Sequence, residues 1–126
     1  MNTQRICETI GKYGCYLLCI LHHFNADDDV LDWYNTLLAE KLIDKDCYVK
    51  DPVAVARLVG GGKWDVTHAE AVYRPLASEW EVLRYERVAD GTTYSHFVLP
   101  NWDPLGDSQT RLKGKLKSKR IFRRLP

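Results

Sequence analysis

A cysteine attacks a carbonyl as its thiolate, and the first turn of a helix favours that form through its unpaired N–H groups and the positive end of its dipole. Cys15 stands at such a place, directly after Gly14 and at the head of the apolar run Cys-Tyr-Leu-Leu-Cys-Ile-Leu-His-His-Phe. Its own N–H could also donate to an oxyanion formed on the attacked carbonyl. The alternative is a small buried hydrophobe, the ordinary role of a free cysteine and the one expected for Cys7, Cys19 and Cys47.

A nucleophilic thiol needs a base, and the chain offers His22, His23, His68 and His96. His22 and His23 lie two turns along the helix from Cys15, roughly 10 Å away by helical rise, too far to take its proton. His68 and His96 remain. His96 stands inside Tyr-Ser-His-Phe-Val-Leu, a strand of aromatic and β-branched residues in which a polar ring needs either a hydrogen-bonding neighbour or a chemical task. A third group must fix the ring's tautomer, and Asn101 and Asp103 follow His96 closely with an amide and a carboxylate. Turn formation is the other use of that segment.

The elements that must hold these residues are legible as helices first and strands afterwards. The run from residue 15 to 24 is apolar on nearly every side, which predicts a central, surrounded helix, with His22 and His23 near its negative pole. A second helix is predicted to start in Asp27-Asp28-Asp29 and to carry Val30, Leu31, Tyr34, Leu37, Leu38 and Leu42 on one face. A third has Asp51 as cap, Pro52 in its first turn and Gly60 as its stop. After Gly60-Gly61-Gly62, strands are predicted at 64–67, 79–88 and 93–99, the last two joined through Asp90-Gly91 as a hairpin, with a short final strand at 120–123. Helices followed by strands argue for an α+β fold.

Gly14-Cys15 opening an apolar helix, His96-Phe97-Val98-Leu99 on a strand, and Trp102-Asp103-Pro104-Leu105-Gly106-Asp107-Ser108 after it resemble the papain-like cysteine peptidase superfamily. Within it the chain is similar to bacterial peptidases that process double-glycine leaders. It is also similar to an uncharacterised domain family of spirochaete and phage proteins with the same Tyr-Gly-Cys-Tyr opening. The resemblance implies one papain-like domain over residues 1–126, with N-terminal helices, the central one starting at Cys15, packed on a C-terminal antiparallel sheet. It implies that Cys15 is the nucleophile, His96 the base and later acid, and Asp103, or else Asn101, the orienting residue. It further implies a peptide or amide bond as substrate and no cofactor or metal. Such peptidases carry a glutamine six positions before the nucleophile as an oxyanion donor. Here that position is Thr9, and the nearest upstream glutamine is Gln4. The hole would then rest on Thr9 and the Cys15 amide. The alternative function is a catalytically inactive papain-like domain that binds a protein partner in its groove.

The bulk properties narrow the remaining options. With 18 Lys and Arg against 17 Asp and Glu there is no net field to draw the chain to nucleic acid or an anionic membrane. No apolar run is long enough to cross a bilayer, and the N-terminus leads into no signal-like segment, so a cytoplasmic chain with free thiols is expected. Cys15, Cys19 and His22, spaced for one helix face, could ligate zinc with Cys7 or His96, but the short Cys-x-x-Cys pairs of structural zinc sites are missing. Gly60-Gly61-Gly62-Lys63 lacks the preceding strand and the following Ser or Thr of a phosphate loop. The basic C-terminal segment from Lys113 to Arg124 reads either as a contact for nucleic acid or an acidic partner, or as a solvated edge strand guarded by Lys and Arg.

Overall fold

Gly14 interrupts what would otherwise be one long N-terminal helix. In the computed structural model, which describes residues 3–126, helix α1 (Thr3–Tyr13) ends one residue before helix α2 (Cys15–His23) begins. The Gly14 N–H donates to the Ile10 carbonyl at 2.9 Å, and its own carbonyl accepts from Leu18 at 2.8 Å. A Cβ at Gly14 would lie 2.5 Å from that Ile10 oxygen, so a side chain does not fit. The close approach is what resets the helix so that Cys15 becomes its first residue. Helix α1 is absent from the sequence expectations above, because its polar pattern buries only Ile10.

The described residues divide into two compact units, one ending at Lys63 and the other beginning at Trp64. In the first, α2 buries Leu17, Cys19, Ile20 and Leu21, as an apolar central helix should. It closes with Asn25 in the left-handed region (φ 56°), Asn25 N–H bonding to His22 O and Ala26 N–H to Leu21 O, a Schellman ending. Asp27–Asp29 form a separate 3-10 turn, and α3 runs Val30–Ala39 rather than from Asp27 to Leu42. The same Schellman geometry stops it, with Lys41 at φ 61° and Leu42 N–H bonded to Leu37 O. Helix α4 (Pro52–Gly60) has the expected cap: Asp51 Oδ1 accepts from Ala54 N–H at 3.0 Å.

The second unit is a four-stranded antiparallel sheet of β1 (Trp64–Glu70), β2 (Glu79–Ala89), β3 (Thr92–Val98) and β4 (Lys115–Arg124), in the order β1-β4-β2-β3. The architecture is α+β. Asp90 and Gly91, at φ 53° and 76°, make the two-residue turn of the β2–β3 hairpin. A short helix α5 (Gln109–Lys113) precedes β4. The basic C-terminal segment is corrected here: it is no edge strand but lies between β1 and β2, with Ser118, Lys119, Ile121 and Phe122 buried. Phe122 stacks on Trp80 with ring centroids 3.8 Å apart, and Trp80 meets Trp64 edge-on. Buried Lys119 is satisfied by Glu81 Oε2 at 3.0 Å and the Tyr73 carbonyl at 2.8 Å. Within the basic run it is this one cation that is buried, and it has two acceptors, while Lys115, Lys117, Arg123 and Arg124 stay exposed.

Two glycines of α1 and its junction predict opposite responses. Gly14→Ala should lose about 1–3 kcal/mol of unfolding free energy through the clash with Ile10 O. Gly11→Ala, which meets nothing within 4 Å in a helix interior, should gain up to about 1 kcal/mol. Denaturant unfolding of the two variants measures both signs.

Candidate functional site

Past β3 the chain reverses in two residues. Leu99 and Trp102 exchange backbone hydrogen bonds at 2.8 and 3.2 Å, leaving Pro100 and Asn101 as the turn. Alternation along extended chain then puts Asp103 on the same side as Val98 and His96. The carboxylate reaches the ring: Asp103 Oδ1 lies 2.6 Å from His96 Nε2. Asn101 stays exposed at the tip of the turn. The residue facing the ring is Asp103.

Both members are removed from water, with side chains 5% and 4% exposed for His96 and Asp103. Burying a carboxylate costs several kcal/mol unless donors replace its hydration. Asp103 has them on both oxygens. Oδ1 also accepts from Leu105 N–H at 2.9 Å, and Oδ2 accepts from Ser108 Oγ at 2.7 Å and Arg111 Nε at 2.8 Å. Burial by itself pushes the carboxyl upward, but the hydrogen bonds from His96, Arg111, Ser108 and the Leu105 amide outweigh it and hold Asp103 well below the usual carboxylate range. An ionised carboxylate only accepts, so Nε2 carries the ring proton and the neutral ring has its basic lone pair on Nδ1, facing away from Asp103.

Ser108 and Arg111 escaped the sequence reading. Ser108 caps α5, accepting from Arg111 N–H at 3.3 Å while donating to Asp103. The sequence signal is Ser108 itself, a preferred cap residue after Gly106-Asp107, which marks a helix start but not the carboxylate it serves.

The other site candidates belong to the first unit. Cys15 is the first residue of α2 and half-buried, and Thr9 is half-buried on α1. Gln4, the nearest upstream glutamine, donates to Glu8 Oε1 at 3.2 Å on the exposed side of α1. No disulfide joins the four cysteines. Cys7 is exposed, and Cys19 and Cys47 are buried. Burial, with the nearby Asp44 and Asp46 carboxylates, pushes the Cys47 thiol up to about 11, so it stays protonated. Half-buried Cys15 differs from all three. His22 is bound by Asp27, Nδ1 to Oδ2 at 2.6 Å, and that hydrogen bond lowers the Asp27 carboxyl. His23 is held down first by burial and then by the His22 charge, while His68 is exposed on β1. Among the described residues no group of three His, Cys, Asp or Glu side chains could hold a metal ion. No described helix is long and apolar enough to cross a membrane.

A family model described as "Protein of unknown function, DUF261" matches residues 1–124, and the chain belongs to that family. No curated protein and no solved structure matches the chain.

The lowered Asp103 carboxyl makes a signed prediction. A carboxyl depressed in the folded state stabilises it above the unfolded value, near 3.8, and that contribution drains away as pH falls below it. Asp103→Asn should therefore cost about 3 kcal/mol at neutral pH, because Arg111 loses its buried counter-charge. The gap between wild type and variant should narrow below about pH 4. Urea titrations at a series of pH values read both effects.

Proposed function

We propose that this chain is a papain-like cysteine peptidase or amidase in which Cys15 is the nucleophile, His96 the base and acid, and Asp103 the residue that orients His96. The reading is carried by one observation, the buried His96 ring paired at Nε2 with a fully hydrogen-bonded carboxylate. Strongly lowered carboxyls paired with a buried histidine are concentrated at functional sites. The helix-start cysteine behind Gly14 and the resemblance of the Gly14-Cys15, His96 and Asp103 segments to papain-like peptidases supply the rest.

In this mechanism Nδ1 of His96 accepts the Cys15 proton as sulfur bonds to the carbonyl carbon of a peptide or amide. The resulting oxyanion is stabilised by the Cys15 N–H, with Thr9 as the side chain at the position of the family's glutamine. The imidazolium returns the proton to the departing nitrogen as the C–N bond breaks, leaving a thioester on Cys15. Water, deprotonated by Nδ1, then attacks the thioester, releasing a carboxylic acid and restoring the thiol. The chemistry suits the reducing cytoplasm, and its partner is a peptide or protein. Nucleic acid is disfavoured because Lys119 and Arg120 of the basic segment are engaged within the sheet.

A second reading, a papain-like domain that binds a protein partner without turnover, is favoured by Thr9 standing for glutamine while Gln4 is tied to Glu8. Loss of one oxyanion donor typically costs a factor of about 100 to 1000 in rate. Thiol reactivity separates the two. With limiting iodoacetamide at neutral pH, mass spectrometry should find label at Cys15 before Cys7, Cys19 or Cys47, and that preference should vanish in His96→Ala. Equal labelling of exposed Cys7 and Cys15, or an inert Cys15, would contradict a catalytic thiol.

A further inference from the structure

Helix α5 lies against β2, β3 and β4 without fully burying any of its five residues. What it delivers is two donors to one atom. Ser108 Oγ and Arg111 Nε both reach Asp103 Oδ2, the oxygen that His96 does not use, at 2.7 and 2.8 Å. The turn is self-consistent: Ser108 accepts from Arg111 N–H, which fixes the distance between the two donors. The guanidinium is fixed at its other end as well, Nη2 donating to the Gly106 carbonyl at 3.1 Å and to Asp107 Oδ1 at 3.0 Å.

We propose that Arg111 is a positioning residue for His96, acting through Asp103, and that α5 with its Ser108 cap exists to deliver it. An aspartate carboxylate rotates in a broad two-fold well, and of its other contacts neither the Leu105 N–H nor the Ser108 hydroxyl presents a charged plane to hold it. The planar guanidinium, pinned at both ends, holds Oδ2 and thereby keeps Oδ1 aimed at Nε2. A lysine ammonium at the same position would keep the charge but not the plane. In catalytic terms the inference rests on the reading of His96 as a base, yet its structural consequence appears on the ring itself.

The ring of His96 in the full chain, followed by ¹⁵N–¹H correlation NMR at a pH where it is neutral, tests this. Wild type should show the single tautomer protonated at Nε2 with slow exchange of that proton. Arg111→Ala should show mixed tautomers and exchange at least about tenfold faster, the equivalent of one lost hydrogen bond. Leu112→Ala, altering an exposed side chain of the same helix, should match wild type. If Arg111→Ala fails to fold, Arg111→Lys carries the test, with tautomer mixing again expected. A wild-type ring signature in a folded Arg111 variant overturns the proposal. Should that happen while His96→Ala still abolishes the labelling preference of Cys15, the catalytic reading stands and only the role of Arg111 falls. Should the ring respond to Arg111 while Cys15 labelling ignores His96, Arg111 positions a structural histidine and the catalytic reading falls instead.

Discussion

One buried carboxylate organises the C-terminal unit. Asp103 is 4% exposed at its side chain and accepts from a ring, a hydroxyl, a guanidinium and a backbone amide. Each donor comes from a different local structure: the end of β3, the turn at Leu105, the cap of α5 and the helix itself. Removing the carboxylate would leave a buried imidazole and a cation without their acceptor, so these segments depend on it jointly. The same arrangement fixes the chemistry open to His96, since an acceptor at Nε2 dictates that Nδ1 is the basic nitrogen.

Two further constraints prepare the remaining parts. The close approach of Gly14 to the Ile10 carbonyl sits at the break between α1 and α2, where Cys15 is the first residue of the second helix. The insertion of β4 between β1 and β2 makes the sheet continuous only after the last strand has been synthesised. The segment that closes onto Asp103 through α5 immediately precedes that strand. Formation of the β4 ladder and of the Asp103 cluster are thus neighbouring events along the chain.

Local signals were readable and long-range ones were not. The start of α2, the Asp51 cap and the Asp90-Gly91 turn depend on adjacent residues, and the structure has all three. Helix α1 carries only a short apolar stripe, Ile6, Ile10 and Tyr13 at helical spacing, in an otherwise polar segment. Strand β4 runs longer than the expected 120–123, and of the two readings of its basic segment the edge strand fails, because Lys119 and Arg120 look solvent-facing until their partners, Glu81 and Ser118, are known. At the site, His96 and Asp103 could be named from residue type, but the choice of Asp103 over Asn101 to face the ring follows from a turn of only two residues. Arg111 lies eight residues beyond Asp103 and is brought back by a helix whose purpose no local pattern discloses.

The proposed pairing of the Cys15 thiol with the His96 ring is tested directly by a short bifunctional alkylating agent. 1,3-Dibromoacetone joins a thiol to an imidazole through three carbons only when the two groups are neighbours. Peptide mapping after treatment should recover Cys15 bridged to His96, with the link on Nδ1. Recovery of Cys15 alkylated once and never bridged, or bridged to His22, His23 or His68, would contradict the claim.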